Sequence, residues 1–173
     1  YQPVGPKVQR LIQLIQKFPQ TNFAALADDE SAIRALSAAA ARAGVKITLL
    51  LDIDCGMHRC GVPVGPTATE LCRLIASLAG LVAGGLHVYD GHIEDEDLAA
   101  RTKKCDDAFA TLMEWRRTIA DLPVPRIVAG GTPTFPIHAR RSQVECSPGT
   151  CVLWDATYLA SCADLDFLPA ALV

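Results

Sequence analysis

An excess of charge is missing from this chain. Its 173 residues carry 16 Lys and Arg against 19 Asp and Glu, a formal net charge of -3, so nothing draws it to a phosphate backbone and nucleic acid is not an expected partner. Long apolar runs are missing as well. Stretches such as 47–51 and 78–88 are strand-sized or broken by glycine, well short of the roughly 20 apolar residues that cross a bilayer, so no membrane partner is expected. The start, Tyr1 to Lys7, offers neither the basic region nor the apolar stretch of a signal peptide, and it has no initiator methionine. That fits an internal segment of a longer polypeptide. No glycine-rich dinucleotide fingerprint opens the first strand and no Walker sequence occurs, which counts against the common nucleotide-binding folds.

What is present is an aliphatic core: half of the residues are hydrophobic. The seven cysteines, an odd number in a core-rich chain, read as reduced thiols of a cytoplasmic protein. The sharper alternative is zinc at Cys55, His58 and Cys60, but a structural site needs four ligands and usually a paired-cysteine knuckle, which is lacking. No metal ligand is therefore assigned within the chain.

Helical and extended patterns alternate throughout. Pro6 opens an amphipathic helix with Val8, Leu11, Ile12, Leu14 and Ile15, closed before Pro19. A strand is expected over 22–26. Asp28 or Asp29 can cap a helix ended by Gly44. The run 45–54 has the β-branched and aliphatic pattern of a strand buried on both faces. A helix over 67–79, a strand over 81–89, a long helix over 95–120, a strand over 124–129 and short extended pieces at 144–146 and 151–154 follow. Repeated βα units predict a parallel α/β sheet, either doubly wound or closed as a barrel. About five strands are countable, fewer than the eight of a complete barrel of about 250 residues.

Three glycine-bearing segments follow apolar runs, and so fall at strand C-terminal ends, where α/β proteins carry their chemistry. In Gly130-Gly131-Thr132-Pro133-Thr134, glycine backbone and hydroxyls suit a phosphate, or else form a turn before a short capped helix. Gly149 and Thr150 offer a further amide and hydroxyl. Arg59 can hold a phenolate or carboxylate, or pair with Asp52 or Asp54. His87 and Tyr89 alternate along one strand and so share a face, where one can stack on a flat ring; as bland alternatives they are satisfied core residues. His92 can serve as an acid or base, or start a helix.

These segments carry a resemblance. Asp54-Cys55-Gly56-Met57-His58-Arg59-Cys60-Gly61 resembles a segment of the alanine racemase-type, fold III pyridoxal phosphate enzymes. Joined in the same order to 85–92, 130–134 and 145–150, it is more similar to the D-threonine aldolase and D-serine dehydratase branch. The similarity runs over nearly the whole chain. It implies a single incomplete domain over 1–173, a partial TIM-type (β/α) barrel with parallel strands whose N-terminal strands and C-terminal β-domain lie outside the chain. It further implies pyridoxal 5'-phosphate as cofactor, a divalent metal (Mn, Mg or Zn) in the C-terminal domain, a small D-amino acid as substrate, and a cytoplasmic homodimer.

Carried over by position, Arg59 lies near the phenolic oxygen of the cofactor, Tyr89 or His87 flanks its ring, and Gly130, Gly131, Thr132, Gly149 and Thr150 surround its phosphate. Ser147 stands where racemases of this fold place an arginine against the pyridine nitrogen. A neutral hydroxyl there leaves a weaker electron sink and favours an aldolase or dehydratase. His92 and Arg59 are the catalytic candidates. The family's Schiff-base lysine belongs upstream, and none of Lys7, Lys17, Lys46, Lys103 or Lys104 stands in a matching segment, so the chain alone is expected to be inactive. The implied reaction is retro-aldol cleavage of a D-3-hydroxy amino acid to glycine and an aldehyde. The alternatives are β-elimination as in a D-serine dehydratase, a non-catalytic pyridoxal phosphate carrier serving homeostasis, and a truncated remnant that binds nothing.

Overall fold

The computed structural model describes residues 2–169. Helix α1 (Pro6–Lys17), strand β1 (Ala24–Ala27), helix α2 (Glu30–Ala43) and strand β2 (Ile47–Asp54) open the chain. A two-residue β3 (Val62–Pro63), α3 (Pro66–Ser77), β4 (Leu81–Val88), α4 (Leu98–Thr118) and β5 (Ile127–Ala129) follow. Last come α5 (Phe135–His138), β6 (Val144–Cys146), a 3₁₀ turn (Thr150–Leu153) and α6 (Ala156–Ser161). The strands form one parallel sheet in the order β1-β2-β4-β5-β6, with β3 against the end of β2. Among the described residues no helix is long and apolar enough to cross a membrane.

The choice between a doubly wound sheet and a barrel is decided by which side chains the helices cover. Ala27, Leu51, Leu86, Ile127 and Val144 stand side by side across the sheet, as do Ile53, Val88, Ala129 and Cys146. Ala27, Leu51, Leu86, Ile127, Ile53, Val88 and Ala129 join one apolar cluster with Val8 and Ile12 of α1, Ile33 and Leu36 of α2, Leu71 and Ile75 of α3, and Leu112 and Trp115 of α4. Of the alternate positions, Leu26, Thr48, His87 and Val128 stay half-buried, while Leu50 and Asp52 are buried outside that cluster. Helices over one face only is the barrel arrangement, because a doubly wound sheet is covered on both. Strand β2 is buried on both faces, as its apolar run predicts, with Leu49, Leu51 and Ile53 against the helices and Leu50 and Asp52 on the opposite face.

Local chemistry sets the boundaries. Asp29 caps α2 by accepting the Ala32 N–H at 2.9 Å, and Gly44 ends it in the left-handed region at φ 65°. Asp97 caps α4 through the Ala100 N–H at 2.7 Å, so this helix starts at Leu98 rather than at residue 95. Strand β5 pairs only from Ile127 because Pro125, just upstream, has no N–H for a ladder. The piece expected to be extended over 151–154 is a 3₁₀ turn instead. It carries Trp154 into a cluster with Tyr158, Cys162, Leu165 and Phe167. The register slips between Leu49 and Leu50, which leaves Gly84 as an extra residue in β4. Gly85 next to it, at φ 112°, comes so close to β5 that a Cβ there would lie 2.0 Å from the Arg126 carbonyl oxygen.

Candidate active and cofactor-binding site

Parallel strands deliver their loops to one edge, and the chemistry-bearing residues collect there. After β2, Asp54 folds the loop back on itself: Oδ1 accepts the N–H of Gly56 at 2.9 Å and of His58 at 3.0 Å, and Oδ2 meets His58 Nδ1 at 2.8 Å. His58 takes the left-handed conformation at φ 55° as a result of this tight turn. Asp52 is held by His87 Nδ1 at 2.6 Å across the β2–β4 pairing. Both carboxylates are thus engaged with imidazoles, and Arg59 is left to neither. Its guanidinium instead lies over the Tyr89 ring, 4.7 Å from the centroid.

Tyr89 sits at the centre of this edge. A Cβ on Gly91 would fall 2.4 Å from its ring, so that glycine lets the ring pack on bare backbone, and one on Gly131 would press on the ring at 3.3 Å. The Tyr89 carbonyl accepts the Cys55 S–H at 3.3 Å, and burial pushes that thiol up to about 12, with the nearby Asp90 charge acting in the same direction. Cys55 and His58 thus have other partners, and Cys60 is exposed, so the possible zinc trio does not assemble. His92 is exposed, with its imidazole against Gly56.

The loops after β5 and β6 meet through hydroxyls. Thr132 is buried, and its Oγ1 accepts the Thr150 N–H at 3.1 Å. That leaves its hydroxyl proton to be donated. Ser147 turns back to the chain: its Oγ donates to the Gly130 carbonyl at 3.3 Å. Gly149 is exposed beside the 3₁₀ turn. The Gly131 N–H is already committed to a side chain, Asp90 Oδ1, at 2.8 Å.

Asp90 is the residue that sequence reasoning passed over. It lies buried under the edge, where Oδ1 also accepts the Thr134 hydroxyl at 2.6 Å and Oδ2 meets His138 Nε2 at 2.9 Å. Burial opposes its charge, but the hydrogen bonds from His138, Thr134 and Gly131 outweigh that and lower its pKa. Arg141 Nη1 lies 2.8 Å from His138 Nδ1. A guanidinium only donates, so Nδ1 is the acceptor and Nε2 carries the proton that goes to Asp90. Cys105 Sγ is 3.3 Å from the same Nε2, and burial pushes its thiol up to about 11, helped by the Asp90 charge. Asp90, Cys105 and His138 have the composition of a metal site. With Nε2 protonated and the Arg141 cation 3.8 Å from Cys105 Sγ, however, the group is a hydrogen-bonded network and not a ligand set. A sequence signal existed: Asp90 stands between Tyr89 and Gly91, and Thr134 ends the glycine-threonine segment.

With this geometry, comparison with known proteins is specific. Residues 10–155 match the family described as alanine racemase, N-terminal domain. The chain is 32% identical over 129 residues to a 3-hydroxy-D-aspartate aldolase of Paracoccus denitrificans (strain Pd 1222), an alignment that covers 72% of this chain and 32% of that protein. Its fold superposes on a D-threonine aldolase from Filomicrobium marinum with a TM-score of 0.79 at 30% identity, over 98% of this chain and 46% of the other. A D-threo-3-hydroxyaspartate dehydratase from Delftia sp. HT23 gives a TM-score of 0.72 at 25% identity, over 89% and 42%. The chain spans about a third or less of the length of the curated relatives it matches.

Proposed function

The chain belongs to the alanine racemase N-terminal domain family, as a partial (β/α) barrel, and from that premise we propose that the protein carrying it is a pyridoxal phosphate-dependent lyase of D-3-hydroxy amino acids. Its reaction is retro-aldol cleavage to glycine and an aldehyde. The observation that carries this reading is the joining of Arg59, Tyr89 and Gly131 with the Thr132–Thr150 bridge at one strand edge, in a chain similar to a 3-hydroxy-D-aspartate aldolase and a D-threonine aldolase.

The donor set suits the cofactor. Thr132 would donate its hydroxyl proton to the phosphate, with Gly130, Gly149 and Thr150 around it and Gly131 leaving room by its lack of a Cβ. Tyr89, its ring covered by the Arg59 guanidinium, and His87, oriented by Asp52, would flank the cofactor ring. Arg59 offers its N–H groups to the phenolic oxygen. Ser147 would stand near the ring nitrogen as a neutral hydroxyl, its proton given to the Gly130 carbonyl. His92 exchanges the proton of the substrate 3-hydroxyl at its imidazole, exposed where substrate enters. When bound, the cofactor supplies an electron sink for the pair released at Cα. The Schiff-base lysine and the divalent metal are assigned outside this chain: Lys46 lies at the opposite end of β2, while Lys103 and Lys104 pair with Asp107 and Asp95. The same reading makes the domain one incomplete barrel over 1–173 and the enzyme a cytoplasmic homodimer, in keeping with its free cysteines.

The test is intact mass before and after borohydride reduction with pyridoxal phosphate, followed by product analysis on D-threonine and 3-hydroxy-D-aspartate. One reduced cofactor adduct with release of glycine is the expected result. Ammonia and an oxo acid in place of glycine would convert the assignment to the β-elimination performed by the dehydratase relative, and the absence of any specific adduct would overturn it.

A further inference from the structure

Asp90 is placed to govern the β5 loop and not to touch a ligand. Its residue exposure is 3%, and both carboxylate oxygens are already acceptors. Oδ1 holds both ends of one tight turn, the Gly131 N–H and the Thr134 hydroxyl, while Oδ2 holds the α5 residue His138. His138 is in turn set by Arg141, which pairs with Asp106 of α4 and lies over the Phe109 ring at 4.4 Å. A hydrogen-bonded network thus runs from helix α4 to the turn that contains Thr132, where Thr134 Oγ1 also lies 3.0 Å from the Gly131 N–H. Burying a carboxylate costs several kcal/mol before its partners are counted. An apolar plug would fill the space more cheaply, whereas a fully satisfied polar network fixes one geometry.

We propose that Asp90, Thr134 and His138 form a positioning set for the phosphate seat of the cofactor. By taking up the Gly131 amide and the Thr134 hydroxyl from behind, the Asp90 carboxylate holds the turn so that Thr132 keeps its bridge to Thr150 and its hydroxyl proton stays available to the phosphate. This rests on the reading of that loop as the phosphate seat. The seat itself is built from neutral donors, so the nearby carboxylate has two conceivable effects of opposite sign. As a positioning group it strengthens phosphate binding; as a bare negative charge it would weaken it.

The experiment compares the affinity of the purified protein for pyridoxal 5'-phosphate and for pyridoxal, by equilibrium dialysis read at the cofactor absorption band. Asp90→Asn nearly preserves volume but has one acceptor oxygen for three donors. It is expected to lower affinity for the phosphorylated form about tenfold, equivalent to about 1.4 kcal/mol, and to leave pyridoxal binding unchanged. A general folding defect would reduce both. Thr134→Val should act in the same direction and Thr134→Ser should restore the preference, which covers the case in which the Asp90 variant does not fold. A phosphate preference that survives in Asp90→Asn and Thr134→Val, or that increases, would overturn the positioning role while leaving the cofactor assignment intact. A wild-type protein that binds both forms equally would remove the phosphate seat itself, and this inference with it.

Discussion

Two carboxylate–imidazole pairs stand at the ends of adjacent strands, built from the same groups at nearly the same separation: 2.8 Å for Asp54–His58 after β2 and 2.9 Å for Asp90–His138 after β4. The imidazole is 84% exposed in the first pair and 3% in the second. In the first, water can replace either partner, and the carboxylate's firmer task is local, as an acceptor for two N–H groups of its own loop. In the second, burial keeps water from taking a lost partner's place, so the pair transmits geometry between elements distant in sequence. Asp52–His87, at 2.6 Å with side-chain exposures of 10% and 17%, lies between the two. Distance alone therefore says little about what a pair does; solvent access sets its worth.

The comparison can be broken most forcefully at Asp90. Asp90→Ala takes the carboxylate from the Thr134 and His138 donors in a dry site, at about 1–3 kcal/mol for each unsatisfied group, while the Gly131 N–H keeps Thr134 Oγ1 at 3.0 Å, so a loss of about 2 kcal/mol or more is expected in urea unfolding. A loss below about 1 kcal/mol would place the two pairs in the same class. Thr134→Val removes one donor and keeps the shape; the expected loss is about 1–2 kcal/mol by the same measurement.

Acid titration sharpens the contrast. The folded pKa of Asp90 lies below its ordinary value, so between the depressed folded pKa and about pH 3.9, the usual unfolded value, the unfolded state binds more protons. Its stabilisation is complete above about pH 4 and is lost as pH falls through the depressed value. The Cys55 and Cys105 thiols beside it, pushed up to about 12 and about 11, stay protonated throughout this window. Wild type and Asp90→Asn should therefore converge in stability on acidification; parallel curves would contradict the assignment. The smallest effect is expected at the other pair, where His58→Ala should cost less than about 1 kcal/mol and lose even that in salt.

Much of the framework was written in local chemistry. Alternating apolar runs and breakers predict the βα order, because side-chain periodicity and the conformational limits of Gly and Pro act over a few residues. Asp29 and Gly44 mark the ends of α2 for the same reason. The glycine-bearing segments at the strand ends are legible too, since a strand must be followed by a turn. Tertiary structure alone decided which sheet face the helices cover, that Asp52 and Asp54 take histidines and leave Arg59 to the Tyr89 ring, and that 151–154 winds into a 3₁₀ turn to bury Trp154. It also decided the role of Asp90, whose partners Gly131, Thr134 and His138 lie 41, 44 and 48 residues away. A carboxylate in a loop reads as solvated until packing removes the water, and the desolvation that makes its hydrogen bonds decisive exists only once distant segments have closed around it.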